Sequence, residues 1–126
     1  MTKTPRISES EWLVMQELWR KSPQTAAEVI AALKDQRDWG TATVKTLLNR
    51  LVTKGALGFA KQGREYAYSP TVTRESCVQA ESRSFLARVF EGAVTPMVAA
   101  FLEKETLSKD DLQALRRLLD EKEEAP

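Results

Sequence analysis

Thr41, Thr43, Lys45, Thr46, Asn49 and Arg50 form a short polar and basic series, and Lys61 and Arg64 follow it closely in the chain. Lysine and arginine can donate to guanine edges or phosphate oxygens, and a threonine methyl can contact the methyl group of thymine. The chemistry these residues suit is recognition of duplex DNA, with no covalent bond made or broken. An exposed helix face is ordinarily polar without binding anything. Two features set this one apart: no acidic residue lies between Thr41 and Lys54, and residues 36 to 68 hold six basic residues against two acidic ones.

Other chemistry is poorly supplied. The chain has no histidine and one cysteine, Cys77. That composition excludes a Ser-His or Cys-His nucleophile, an intramolecular disulfide and a His/Cys cluster for zinc or copper. No glycine-rich loop is present to cradle a phosphate, and the carboxylates near the C terminus have no polar constellation around them, so they read as a solvated helix face. A lone cysteine at the start of a helix reads as an inert structural thiol. The expectation is a protein that is not an enzyme and holds neither cofactor nor metal.

The basic series needs elements to present it. Val44, Leu47, Leu48 and Leu51 recur at helical spacing within it, which predicts a helix from Thr41 with one buried stripe and the basic series facing outward. Gly55 suits the left-handed residue that closes such a helix. Two helices are expected before it. Ser8 and Glu11 form a capping box with Ile7 and Trp12 as its hydrophobic staple, and Trp12, Met15 and Trp19 continue the apolar face until Ser22-Pro23. Thr25 and Glu28 form a second box, opening a helix with Ala26, Val29, Ile30 and Leu33 inward. The tryptophans read as core or interface residues rather than stacking platforms for single strands, with Trp39 in a connector.

After Gly55, Leu57 and Phe59 alternate with small residues, Gln62-Gly63-Arg64 reads as a turn, and Tyr66 and Tyr68 share one face of a returning strand that Pro70 ends. Two capped helices followed by a hairpin with Lys61 and Arg64 at its tip make a helix-turn-helix with a wing. The predicted fold is therefore mainly α with a small β-hairpin, comprising a winged helix-turn-helix over residues 1–72 and a helical dimerisation region over 73–126.

In that second region a helix is expected from Thr73 to about Glu91, another from Thr95-Pro96, and a third from Ser108, with Leu107 and Leu112 as its staple and residues 121 to 126 as a frayed tail. Phe85, Leu86, Val89, Phe90, Met97, Val98, Phe101, Leu102, Leu112, Leu115 and Leu119 supply more apolar surface than a few short helices bury alone. A second copy would cover it, and a two-fold dimer would present two recognition helices to half-sites about 34 Å apart or a multiple of that. The alternative is that these helices fold back on the first three.

Charge divides the same way. Residues 1 to 75 carry 12 Lys/Arg against 8 Asp/Glu, whereas residues 76 to 126 carry 7 against 10, although the whole 126-residue chain is only +1. A basic front and an acidic back would orient the molecule in the field of a polyanion. No apolar run approaches the roughly 18 residues of a membrane span, and the charged start Met1 to Arg6 has no apolar segment of a secretory signal behind it. The expected location is the cytoplasm, without membrane insertion.

In order and spacing the chain resembles the penicillinase-repressor family of winged-helix regulators. The resemblance rests on Ile7 to Glu11 with Val14-Met15 and Leu18-Trp19, on Thr43 to Leu51 with Lys54-Gly55, on Gly63-Arg64 with Tyr68, on Ser84-Phe85-Leu86, on Met97-Val98 with Phe101-Leu102-Glu103, and on Leu107-Ser108. It implies a homodimer that sits on a palindromic operator and blocks transcription, with Thr43, Lys45 and Thr46 reading bases. Members that sense copper carry a cysteine cluster near the C terminus, which is missing here. Members that respond to beta-lactams, and so govern antibiotic resistance, are cleaved by a regulatory protease before a phenylalanine corresponding to Phe101. Asparagine is usual on its N-terminal side, where this chain has Ala100. A reading of another class stays open, in which the basic face of a winged helix meets an acidic protein.

Overall fold

The computed structural model describes residues 4–104 and 106–126, so Met1 to Lys3 of the charged start lie outside the described residues. Among the described residues nine elements follow one another: α1 (Glu9–Arg20), β1 (Gln24–Thr25), α2 (Ala26–Leu33), α3 (Thr41–Thr53), β2 (Leu57–Gln62), β3 (Glu65–Pro70), α4 (Arg74–Phe90), α5 (Val94–Lys104) and α6 (Lys109–Glu124). Among the described residues no single helix is long and apolar enough to cross a membrane.

The caps that start the helices are formed as the residue types require. Ser8 accepts from the Glu11 amide at 3.2 Å while Glu11 accepts from the Ser8 amide at 2.9 Å, and Thr25 with Glu28 repeats the arrangement at 3.2 and 3.0 Å. Each box satisfies two amides that have no intrahelical acceptor. α3 starts differently, from Gly40, with no side-chain cap. It stops at Gly55, whose φ of +84° is the left-handed conformation that a residue without Cβ adopts freely.

Three helices build the core. α1 contributes Val14, Met15 and Leu18, α2 Val29 and Leu33, and α3 Val44, Leu47, Leu48 and Leu51, all buried. Trp12 and Trp19 pack edge to face at 5.6 Å against this core, and the Trp19 indole donates to the Val72 carbonyl at 3.0 Å. Trp39 is half-buried on it.

The wing is one strand larger than a hairpin. β1, β3 and β2 form an antiparallel sheet in that order, with Gln24 opposite Tyr68 and Phe59 opposite Tyr68 on the other side. Two residues are too few to show a period of two, so β1 leaves no signature in the sequence. It is held instead by side chains. The buried Gln24 amide donates to Glu17 Oε2 at 2.8 Å and to the Lys21 carbonyl at 2.7 Å, tying the sheet edge to the end of α1. The turn itself is only Gly63-Arg64, since Gln62 still belongs to β2, opposite Glu65.

The chain divides into two compact units, the first ending at Ser84 and the second being Phe85–Pro126. The boundary expected at residue 72 moves into α4 because Cys77, in its first half, is buried in the first core. Within the second unit Phe85 lies 5.8 Å from Phe90 and stacks on Phe101 at 6.3 Å. No residue of α5 or α6 is buried. α5 begins at Val94 rather than Thr95-Pro96, so Pro96 sits within the first turn, where a missing amide still costs no intrahelical bond. The tail expected to fray stays helical to Glu124, where Ala125 donates back to Glu121 at 3.1 Å.

Candidate nucleic-acid interface

With Val44, Leu47, Leu48 and Leu51 fixed inward, α3 turns Thr41, Thr43, Lys45, Thr46, Asn49 and Arg50 to solvent, and all six are exposed. A helix of this kind, free to its full width on one side, fits a major groove. Thr46 is partly committed already: its hydroxyl donates to the Ala42 carbonyl at 2.9 Å. The methyl group and the hydroxyl lone pairs are what this side chain has left for a partner.

On the wing, Lys61 and Arg64 are exposed, and Gly63 makes the turn with φ +66°. The register puts Phe59 and Lys61 on the same face as Tyr68 and Tyr66, their cross-strand partners. Phe59 is 54% exposed although a strand alternation would place it inward, and it packs edge to face on Tyr66 at 5.0 Å. β2 is an edge strand, and within it only Leu57 is buried.

Between the start of α2, the start of α3 and the wing runs an open groove of about 300 Å³. It is lined by Ala26, Ala27, Thr41, Lys45, Arg64, Glu65, Tyr66 and Tyr68, among others. The fold thus brings Thr41, Lys45 and Arg64 to one place, while Thr43, Thr46, Asn49, Arg50 and Lys61 lie outside that groove. Tyr66, Tyr68 and the start of α2 are the residues that sequence spacing alone does not connect with the basic series, because they meet it only through the sheet.

Lys54 is a different case. It belongs to the basic run in sequence, yet its ammonium is ion-paired with Glu11 and donates to the Arg6 carbonyl at 2.9 Å. Glu11 is 1% exposed. Burial pushes its carboxyl up, but the Lys54 ammonium and the Ser8 amide outweigh that and hold it below the ordinary value. The pair clamps the C-terminal end of α3 to the first turn of α1. Lys45, Arg50, Lys61 and Arg64 form no ion pair among the described residues. Cys77, far from this surface in sequence and buried, has its thiol pushed up by burial, which disfavours the thiolate.

Three helices, a three-stranded wing and an outward basic helix define the winged helix-turn-helix class of DNA-binding domains. Residues 7–121 match the family described as penicillinase repressor. The chain is 37% identical to the penicillinase repressor of Bacillus licheniformis over 96% of its own length and 94% of that protein's. It is 35% identical to the methicillin resistance regulatory protein MecI of Mammaliicoccus sciuri over 95% of its length and 98% of that one's. Among solved structures it is similar to the DNA-binding domain of the repressor BlaI, with a TM-score of 0.54 and 38% identity over 60% of this chain and 93% of that one. The monomeric form of Bacillus licheniformis BlaI in complex with the blaP half-operator matches with a TM-score of 0.51 over the same shares and at the same identity. The chain belongs to the penicillinase repressor family, a family of repressors rather than enzymes.

Proposed function

We propose that this chain is a transcriptional repressor that binds a palindromic operator as a homodimer and blocks transcription there. One observation carries the reading: an exposed recognition-helix face with no acidic residue, beside a wing whose Lys61 and Arg64 are unpaired. Membership in a family of repressors, and likeness to one solved on a half-operator, support it. In this reading Thr43, Lys45, Thr46, Asn49 and Arg50 face base edges, while Thr41, Lys61 and Arg64 meet the backbone. Such a protein works where the DNA is, in the cytoplasm.

Dimerisation would use the second unit, whose Val89, Val98, Phe101, Leu102, Leu112, Leu115 and Leu119 are exposed while Phe85, Leu86, Phe90 and Met97 are half-buried. Release would follow a cut between Ala100 and Phe101 by a regulatory protease, as part of a response to beta-lactams. That bond lies inside α5. Proteases take extended backbone, so α5 must open locally before the cut.

Footprinting on the DNA flanking the chain's own gene tests the reading. A protected, two-fold symmetric site is expected, with affinity falling steeply as salt rises because each neutralised phosphate releases a counterion. No preference over random duplex at moderate salt would end it. Salt-dependent capture of an acidic protein without a footprint would favour the other reading.

A further inference from the structure

Tyr68 carries a polar group whose partner is missing from the fold. The residue is 8% exposed, its ring packs on Phe59 at 6.1 Å, and its hydroxyl makes no hydrogen bond among the described residues. Yet no side-chain oxygen or nitrogen is both fully enclosed and unbonded. The hydroxyl therefore opens to the surface, and the surface that Tyr68 lines is the groove between α2, α3 and the wing. Burial, and secondarily Tyr66, push the phenol above its ordinary value, so it remains a donor at neutral pH.

Positive charge outnumbers negative along the same groove. α2 opens into it at Ala26 and Ala27, and first-turn amides of a helix point outward with partial positive charge. Lys45 and Arg64 line it from opposite sides, one on α3 and one on the wing turn, with only Glu65 against them. A neutral donor fixed by its ring, two unpaired cations and a helix start suit a tetrahedral oxyanion.

We propose that this groove seats one backbone phosphate of the bound duplex, with the Tyr68 hydroxyl donating to a phosphate oxygen between Lys45 and Arg64. This rests on the DNA-binding reading and refines it. Lys45, in this placement, divides its reach between the backbone and the base edges.

Tyr68→Phe removes only the unbonded oxygen, so the core keeps its ring. Its affinity for DNA is expected to fall about tenfold, the scale of a lost hydrogen bond to a charged group. Because a phosphate carries no sequence information, the loss should be equal on the chain's own upstream DNA and on random duplex. Scanning methylphosphonates, which neutralise one phosphate at a time, should find one position per half-site whose loss in the wild-type protein vanishes in the variant. Equal affinity of Tyr68→Phe and wild type on both duplexes, or a methylphosphonate profile unchanged by the variant, would overturn the seat while leaving the repressor reading intact. Wild-type protein without preference for its own upstream DNA would remove the repressor reading, and a loss on random duplex in Tyr68→Phe would still support the seat.

Discussion

The two units of this chain solve opposite problems with the same kind of helix. The first closes over its own core: Val14, Met15, Leu18, Val29, Val44, Leu48 and Leu51 are 0% exposed, and outside the rings of the wing what it leaves exposed is mostly polar or charged. The second buries no residue in α5 or α6 and leaves Phe101 52%, Leu118 61% and Leu119 70% exposed. Apolar burial is worth roughly 25 cal/mol per Å². The first unit collects that stabilisation from its own chain, whereas the second leaves much of its apolar surface uncovered. In the proposed homodimer that difference would be useful, because one recognition helix makes too few base contacts to select a genomic site and a second copy adds to them.

The largest effect should come from spoiling the second unit. Leu118→Glu with Leu119→Glu places charge on the most exposed part of its apolar face, where neither side chain is buried. Sedimentation should show monomers, and operator affinity should fall on the order of 10² to 10⁴, the range gained when one binding event makes the next intramolecular. The unfolding midpoint of the first unit should stay where it was. All three tryptophans, Trp12, Trp19 and Trp39, lie in that unit, so their fluorescence reports it alone. A double variant that remained dimeric would show that the uncovered face is not the interface.

Next in size is the basic face. Lys45→Ala or Arg50→Ala should weaken operator binding by about 1 to 3 kcal/mol where the residue reads a base, with the oligomeric state unchanged. If neither variant moved the affinity, the contact would have to be placed on the wing instead.

The contrast between units also explains what sequence can disclose. Capping boxes at Ser8 and Thr25 and the stripe of α3 are local patterns, legible because a helix repeats every 3.6 residues. β1 has no such repeat, and its place depends on Gln24 reaching Glu17 across a turn. The groove that joins Lys45, Arg64 and Tyr68 is illegible for the same reason: its members are brought together by sheet register, which no spacing announces. Lys54 looks like one more cation in the run, and only the fold reveals that Glu11 has claimed it. For the second unit the helices were legible and the surplus of apolar residues was too, but a chain cannot state in its own sequence what covers it.

A smaller effect tests whether the first unit is self-sufficient through its charges as well as its core. Glu11 is held below its ordinary value of 4.5 against its burial by Lys54 and Ser8, and Glu17 is held below that value by Arg20, against burial, with help from Gln24. Folded-state values below the unfolded ones mean stabilisation that is complete above about pH 4.5 and is lost as pH falls through the folded values. Tryptophan-monitored denaturation should show the first unit weakening in that acid range. Glu11→Gln should lower its stability by about 1 to 2 kcal/mol at pH 7 and flatten the acid limb, since the charge-assisted bond to Lys54 is gone. An acid limb unchanged by Glu11→Gln would assign it to other carboxylates.

The smallest effect concerns Thr46, and it separates reading by hydrogen bond from reading by shape on the first unit's outer face. Its hydroxyl already donates to the Ala42 carbonyl, so the group it has free to offer thymine is a methyl. Thr46→Val keeps a methyl in that position and should bind the operator as wild type does. Thr46→Ser keeps the hydroxyl and loses the methyl, and should weaken binding by about 0.8 kcal/mol, the value of one buried carbon. Replacing operator thymines one at a time by deoxyuridine, which lacks only the 5-methyl group, should reproduce that loss at a single position per half-site and add nothing to it in Thr46→Ser. The reverse order, with serine tolerated and valine not, would mean that the hydroxyl leaves Ala42 on binding and that the helix face is rebuilt by the DNA rather than presented to it ready-made.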